Sequence, residues 1–110
     1  MENQFAKITD KSALEELMAR SADEPVIVFK HSNSCSLSAM AFSELAPLGK
    51  QVNLIEVQST PSLSQEIEKR TGLQHQSPQV IVLRQGKAVW DASHFKIKIE
   101  AVRTAVSNNA

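Results

Sequence analysis

The chain has a single cysteine among its 110 residues, so no internal disulfide can brace it. A secreted protein this small more often carries a framework of bridges, and a reducing cytoplasm is the expected setting. No apolar run approaches the roughly 20 residues that a bilayer-crossing helix needs. The opening Met1-Glu2-Asn3-Gln4 has neither the basic nor the apolar segment of an export leader. Twelve basic and twelve acidic residues leave no net charge, which argues against nucleic acid or an anionic membrane as the partner. With no cysteine pair, and with His31, His75 and His94 far apart, a zinc site has no support and no metal is expected. No repeat, low-complexity tract or linker interrupts the chain, so residues 1–110 are expected to form one domain.

What is present is an alternation of apolar patterns. The apolar content of 42% suits a globular protein with one modest core. After a short segment around Phe5 and Ile8, Thr9, Asp10 and Ser12 all offer capping oxygens, and Ser12 with Glu15 has capping-box spacing. Leu14, Leu17 and Met18 then give the stripe of a helix over about Asp10 to Ser21. Val26 to Phe29 reads as a buried strand, and a second helix is predicted from about Cys35 to Ala46, stopped near Pro47 and Gly49. Val52 to Val57 is a strand covered on two faces. Thr60-Pro61 opens a third helix that Gly72 closes. Val80 to Leu83 and Ala88 to Ala92 form a hairpin about Gly86, and a last helix runs from about Ile97, its start weakly signalled because Lys96 and Lys98 stand where the dipole prefers acids. The order predicts an α/β fold with a mixed sheet of about four strands and helices on both faces, the layout of a thioredoxin fold.

Cys35 falls where the first strong strand breaks into a serine-rich turn and a helix begins. A thiol at that place meets free backbone N–H groups at the positive helix end, which favours thiolate over thiol and suggests redox or transfer chemistry at sulfur. The alternative is a buried, inert cysteine packed as a small hydrophobe, which the polar neighbours Ser32, Asn33, Ser34 and Ser36 disfavour. Ser38, one turn on, either donates a hydrogen bond to the thiolate or is only a small helix residue. His31 either faces the thiol as cation or proton carrier or is a solvated turn histidine. Trp90 is expected in the core of the hairpin. The run Glu66 to Arg70 reads as a solvated helix face.

Three blocks carry a resemblance. Phe29-Lys30-His31-Ser32 with Cys35 and Ser38, His75-x-Ser77-Pro78-Gln79-Val80, and Val89-Trp90-x-Ala92-Ser93-His94 are similar to the signature of the YtxJ-like monothiol bacilliredoxins, small thioredoxin-fold proteins of the bacillithiol redox system. The similarity spans roughly Ile8 to Val106. The chain departs from that pattern at Ser36, where proline is expected, and at Lys96 and Lys98, where Ser and Thr are expected. The resemblance implies that Cys35 is the nucleophile and that Ser38 stands in place of a resolving cysteine. It implies that Pro78 is cis and opposite Cys35, where the backbone of Ser77 pairs with an incoming disulfide. On residues alone an ordinary trans proline is the expectation.

The reading that follows is a monothiol oxidoreductase that takes a low-molecular-weight thiol, bacillithiol or an analogue, from S-thiolated client proteins through a Cys35 mixed disulfide. Cys35 and Ser38 are the expected catalytic pair. Ser34, Ser36, Ser77, Pro78 and His31 are expected to bind substrate. No bound cofactor is expected beyond the co-substrate thiol, and the protein is expected to act as a cytoplasmic monomer. The alternative is a non-enzymatic thioredoxin-like adaptor or thiol sensor. A thiol-conjugating transferase fragment is a weaker third reading, since no second substrate domain is present.

Overall fold

The computed structural model describes residues 5–110. Its elements are β1 (Phe5–Lys7), α1 (Lys11–Arg20), β2 (Val26–His31), α2 (Ser36–Leu45), a 3-10 turn (Ala46–Leu48), β3 (Val52–Glu56), α3 (Pro61–Thr71), β4 (Gln79–Arg84), β5 (Lys87–Ser93), a second 3-10 turn (His94–Lys96) and α4 (Ile99–Asn108). The sheet has five strands in the order β1-β3-β2-β4-β5, one more than the four expected. The extra strand is the short Phe5 segment, which pairs in parallel with β3 from Phe5 opposite Val52 to Lys7 opposite Leu54. Three residues are too few to show an alternation; β3's free edge makes them a strand.

β2 lies at the centre, parallel to β3 and antiparallel to β4. Its side chains alternate between two cores. Ile27 and Phe29 join Val52, Leu54, Val80 and Val82 under α2 and α4. Val26 and Val28 join Ile55, Ile81 and Leu83 under α1 and α3, through Leu14, Leu17, Leu63 and Ile67. Trp90 packs, partly buried, against the first of these cores. Lys30 and His31, next along the strand, therefore point to opposite faces.

Helix starts differ in detail from the sequence reading. Of the three capping candidates Asp10 caps α1, its Oδ1 accepting the Ala13 N–H at 2.8 Å, and the Ser12–Glu15 box does not form. α4 starts at Ile99, two residues later than expected, because the 3-10 turn takes up the preceding chain. Its N-cap residue, Lys98, makes no side-chain cap. The acceptor comes from α2 instead, where Glu44 Oε2 takes the Ile99 N–H at 2.9 Å. At the hairpin, Gln85 and Gly86 are both left-handed (φ 55° and 73°), the pair of positive φ values a tight two-residue turn needs.

Candidate active site

β2 ends at His31, and Ser32, Asn33 and Ser34 bring Cys35 to the N-cap of α2 with extended backbone (φ −113°, ψ 125°). The thiol is free and half-buried. No side chain caps α2, and no acid occupies its first turn. The first-turn N–H groups are therefore open to negative charge placed at the helix end.

The loop in front of the cysteine is held by side chains. Gln58, just beyond β3, donates from Nε2 to Ser32 Oγ at 2.6 Å and to Ser34 Oγ at 2.9 Å, while its Oε1 accepts the Asn33 N–H at 3.2 Å. Ser38 is fully buried, and its Oγ accepts the Ser32 N–H at 3.1 Å. It thus ties the loop to the helix, and no Ser38–Cys35 hydrogen bond is present among the described residues. Ser34 and Ser36 are exposed on either side of Cys35.

His31 is neither a solvated turn residue nor a ready cation. It is the last residue of β2, with its ring between Phe29 (centroids 5.3 Å apart) and Phe42 (5.5 Å). Phe42 in turn stacks on Phe5 at 4.2 Å. Burial pushes the imidazole's pKa below its ordinary value, against the opposing pull of Glu56, and Nδ1 is enclosed without a hydrogen-bond partner. Burial thus favours the neutral ring, which packs against Phe29 and Phe42.

The Ser77–Pro78 bond is cis, as the resemblance implies and against the expectation from residues alone. Pro78 is buried, and its carbonyl accepts the N–H of His94 at 3.1 Å. His94 holds a left-handed backbone (φ 54°) there. Ser77 Oγ is buried and unpartnered, and neither the N–H nor the carbonyl of Ser77 has a hydrogen-bond partner among the described residues. His75 is exposed; its N–H donates to Glu68 Oε2 at 3.0 Å. Desolvation, then the charge of Lys30, push its pKa down, while Glu68 opposes them.

On the far side of the helix start, Leu37, Met40, Ala41, His94, Phe95 and Ile97 line a shallow groove of about 60 Å³. Met40 is 60% and Phe95 70% exposed, leaving large apolar surfaces open along this groove. A depression of about 400 Å³ lies at the other end of the sheet, around Pro25 and Lys50. Among the described residues no group of His, Cys, Asp and Glu could hold a metal ion. Gln58 was not among the residues singled out from the sequence; no local pattern marks it, because its partners lie about 25 residues away in the chain.

Comparison with known proteins now bears on this geometry. A family model described as "Monothiol bacilliredoxin BrxC" matches residues 6–102. A solved structure described as a candidate oxidoreductase with a thioredoxin fold is 27% identical, with a TM-score of 0.84 and 93% of each chain covered. A mutant thioredoxin from Halobacterium salinarum (14% identity, TM-score 0.76, 96% of this chain and 90% of that one) shares the fold. So does the thioredoxin of Fasciola hepatica (12%, 0.75, 96% and 99%). The mixed sheet and its helices are thus a thioredoxin fold.

Proposed function

Because the chain belongs to the monothiol bacilliredoxin family, whose members do thiol redox work, we propose that it removes a low-molecular-weight thiol of the bacillithiol kind from S-thiolated proteins. Cys35 thiolate attacks the small-thiol sulfur of a client–S–S–R mixed disulfide. The S–S bond of Cys35–S–S–R forms as the client's own S–S bond breaks, and the client leaves as a thiolate that takes a proton from solvent. A second small thiolate then attacks the R sulfur, giving R–S–S–R and returning Cys35 to its starting state. Two electrons move between sulfurs and no other redox partner is required.

The observation that carries this reading is a half-buried, unpaired Cys35 at the open N-terminus of α2 with serine, not cysteine, one turn on. A serine at position 38 cannot close an internal disulfide, so the mixed disulfide has to be released from outside. Developing charge on sulfur meets the first-turn N–H groups. Ser38 and Gln58 hold the loop that presents the sulfur. Ser34 and Ser36 stand on either side of Cys35 in the chain, and Ser77, next to the cis Pro78, has open backbone groups that offer a client segment a short stretch of β-type pairing. His31 packs with Phe29 and Phe42 at the end of β2, where burial favours its neutral ring. The exposed Met40 and Phe95 supply apolar surface for the client. The protein works as one domain and as a monomer in the cytoplasm, and no bound cofactor takes part.

The test offers the purified protein one client carrying bacillithiol, glutathione or coenzyme A, and follows Cys35 by mass spectrometry. Release of client thiol together with a Cys35 adduct of the bacillithiol kind is expected, and Cys35→Ser should abolish both. Retained partner binding in Cys35→Ser, with no turnover by the native protein, would instead identify a thioredoxin-like adaptor or thiol sensor.

A further inference from the structure

Lys30 is wholly buried, at 0% exposure, in the core face of β2. Its ammonium has three protons to donate, and Gln79 Oε1, at 3.2 Å, is its one hydrogen-bond partner among the described residues. Burying a lysine with so little compensation is costly, and methionine would fill similar volume without that cost. Packing therefore does not account for the residue, and its single partner points to what does.

Lys30 and Gln79 are directly opposite each other on β2 and β4. Gln79 follows Pro78, and its buried side chain organises the irregular stretch from Gly72 to Pro78. Its Oε1 also accepts the Gln76 N–H at 3.3 Å. Its Nε2 lies 3.4 Å from the Gln74 carbonyl and 3.5 Å from Asp91 Oδ2. Without an N–H ladder of its own, this stretch depends on such side-chain contacts for its shape.

We infer that Lys30 is a positioning residue: through Gln79 its buried ammonium holds the Gln74–Pro78 loop, and with it the open backbone of Ser77, in place for the disulfide that Cys35 attacks. The inference rests on the thiol-exchange reading above and names a residue that reading does not use. Among the described residues Lys30 makes no hydrogen bond to Cys35. Glu68 of α3 and His75 of the loop are the charged and titratable groups that act on it, and Asp91 of β5 lies beyond Gln79. Burial lowers the pKa of Lys30 to about 8, with Glu68 opposing, so the anchor weakens as pH rises through that region.

Two rates separate the loop from the sulfur. Iodoacetamide alkylation reports Cys35 alone, and exchange with a cysteinyl mixed disulfide of a short peptide reports sulfur and loop together. Lys30→Met is expected to slow exchange about tenfold, the scale of a small misplacement of a reacting partner, and to leave alkylation within about twofold. Its Gln76 amide should exchange hydrogen faster. In the native protein the ratio of the two rates should fall between about pH 7 and 9, a fall absent in Lys30→Met. Gln79→Glu, which gives the ammonium a charged acceptor, should move that fall to higher pH. Equal losses in both rates, or a ratio and pH course unchanged in Lys30→Met, would overturn the inference. Should Lys30→Met fail to fold, a fall left at its native pH in Gln79→Glu overturns it. If the native protein alkylates but exchanges no disulfide, the thiol-exchange reading fails. The anchor is then judged on the Gln76 amide, where unchanged protection in Lys30→Met overturns it.

Discussion

Gln58 makes three hydrogen bonds to the Ser32–Ser34 loop from a surface position, and leucine there would break all three while burying nothing new. Gln58→Leu is expected to speed hydrogen exchange at the Asn33 amide and to slow disulfide exchange several-fold. Global stability should change by no more than about 0.5 kcal/mol, the usual range for an exposed substitution. Amide exchange and urea unfolding on the same sample check both halves. Cys35, Ser38 and Pro78 stood out in the chain because each sits within a few residues of the break that gives it meaning. Gln58 did not, since glutamine after a strand has no preferred reading until the fold brings the cysteine loop beside it. His31 shows the reverse. Its place next to Lys30 and the cysteine invited a role as a cation, and the pleat turned it toward Phe29 and Phe42 instead.

Among the elements, α4 is the one whose beginning the chain signals worst, and its cap explains why. Glu44 reaches from α2 to the Ile99 N–H, supplying both the acceptor and the negative charge that Lys96 and Lys98 do not. Glu44→Ala removes that cap and is expected to cost about 1 kcal/mol. The loss should show as a lower urea midpoint with unchanged slope, and as faster amide exchange at Ile99. α1 and α3 are joined in the same long-range manner: Arg70 pairs with Glu15 of α1 and, at 2.7 Å, with Glu66 of its own helix. The run Glu66 to Arg70, read from sequence as a solvated face, is thus a tie between two helices. The central strands were legible as uninterrupted apolar runs; β1 was not, because three residues carry no period and only the edge of β3 makes them a strand.

For the molecule as a whole, stability should rise with pH in two windows. His31 and His75 have pKa values below their ordinary 6.5 in the fold, so below about that pH the unfolded chain binds more protons and stability is lost as pH falls. Lys30 holds its proton only to about pH 8 when folded, against 10.5 for an exposed lysine. Between those values the unfolded chain again binds more protons, and stability increases by on the order of 3 kcal/mol. Unfolding by urea at about pH 7.5 and 10 should show this rise in the native protein and not in Lys30→Met. A flat or falling native curve would contradict the burial of that ammonium. The alkaline gain in stability runs opposite to the loss of loop anchoring, because one reflects relief of a buried charge and the other the weakening of its single contact.

Short-range patterns were sufficient for the order of the elements, the two-faced burial of the central strands and the place of the cysteine at a helix start, since each follows from residues that are neighbours in the chain. Contacts between distant segments chose the rest. The edge strand, the cap that Glu44 lends to α4, the Gln58 clamp and the pairing of Lys30 with Gln79 join residues 24 to 55 positions apart. A hydrogen bond of that span exists only after the sheet has set its register, which is why no local pattern announces it.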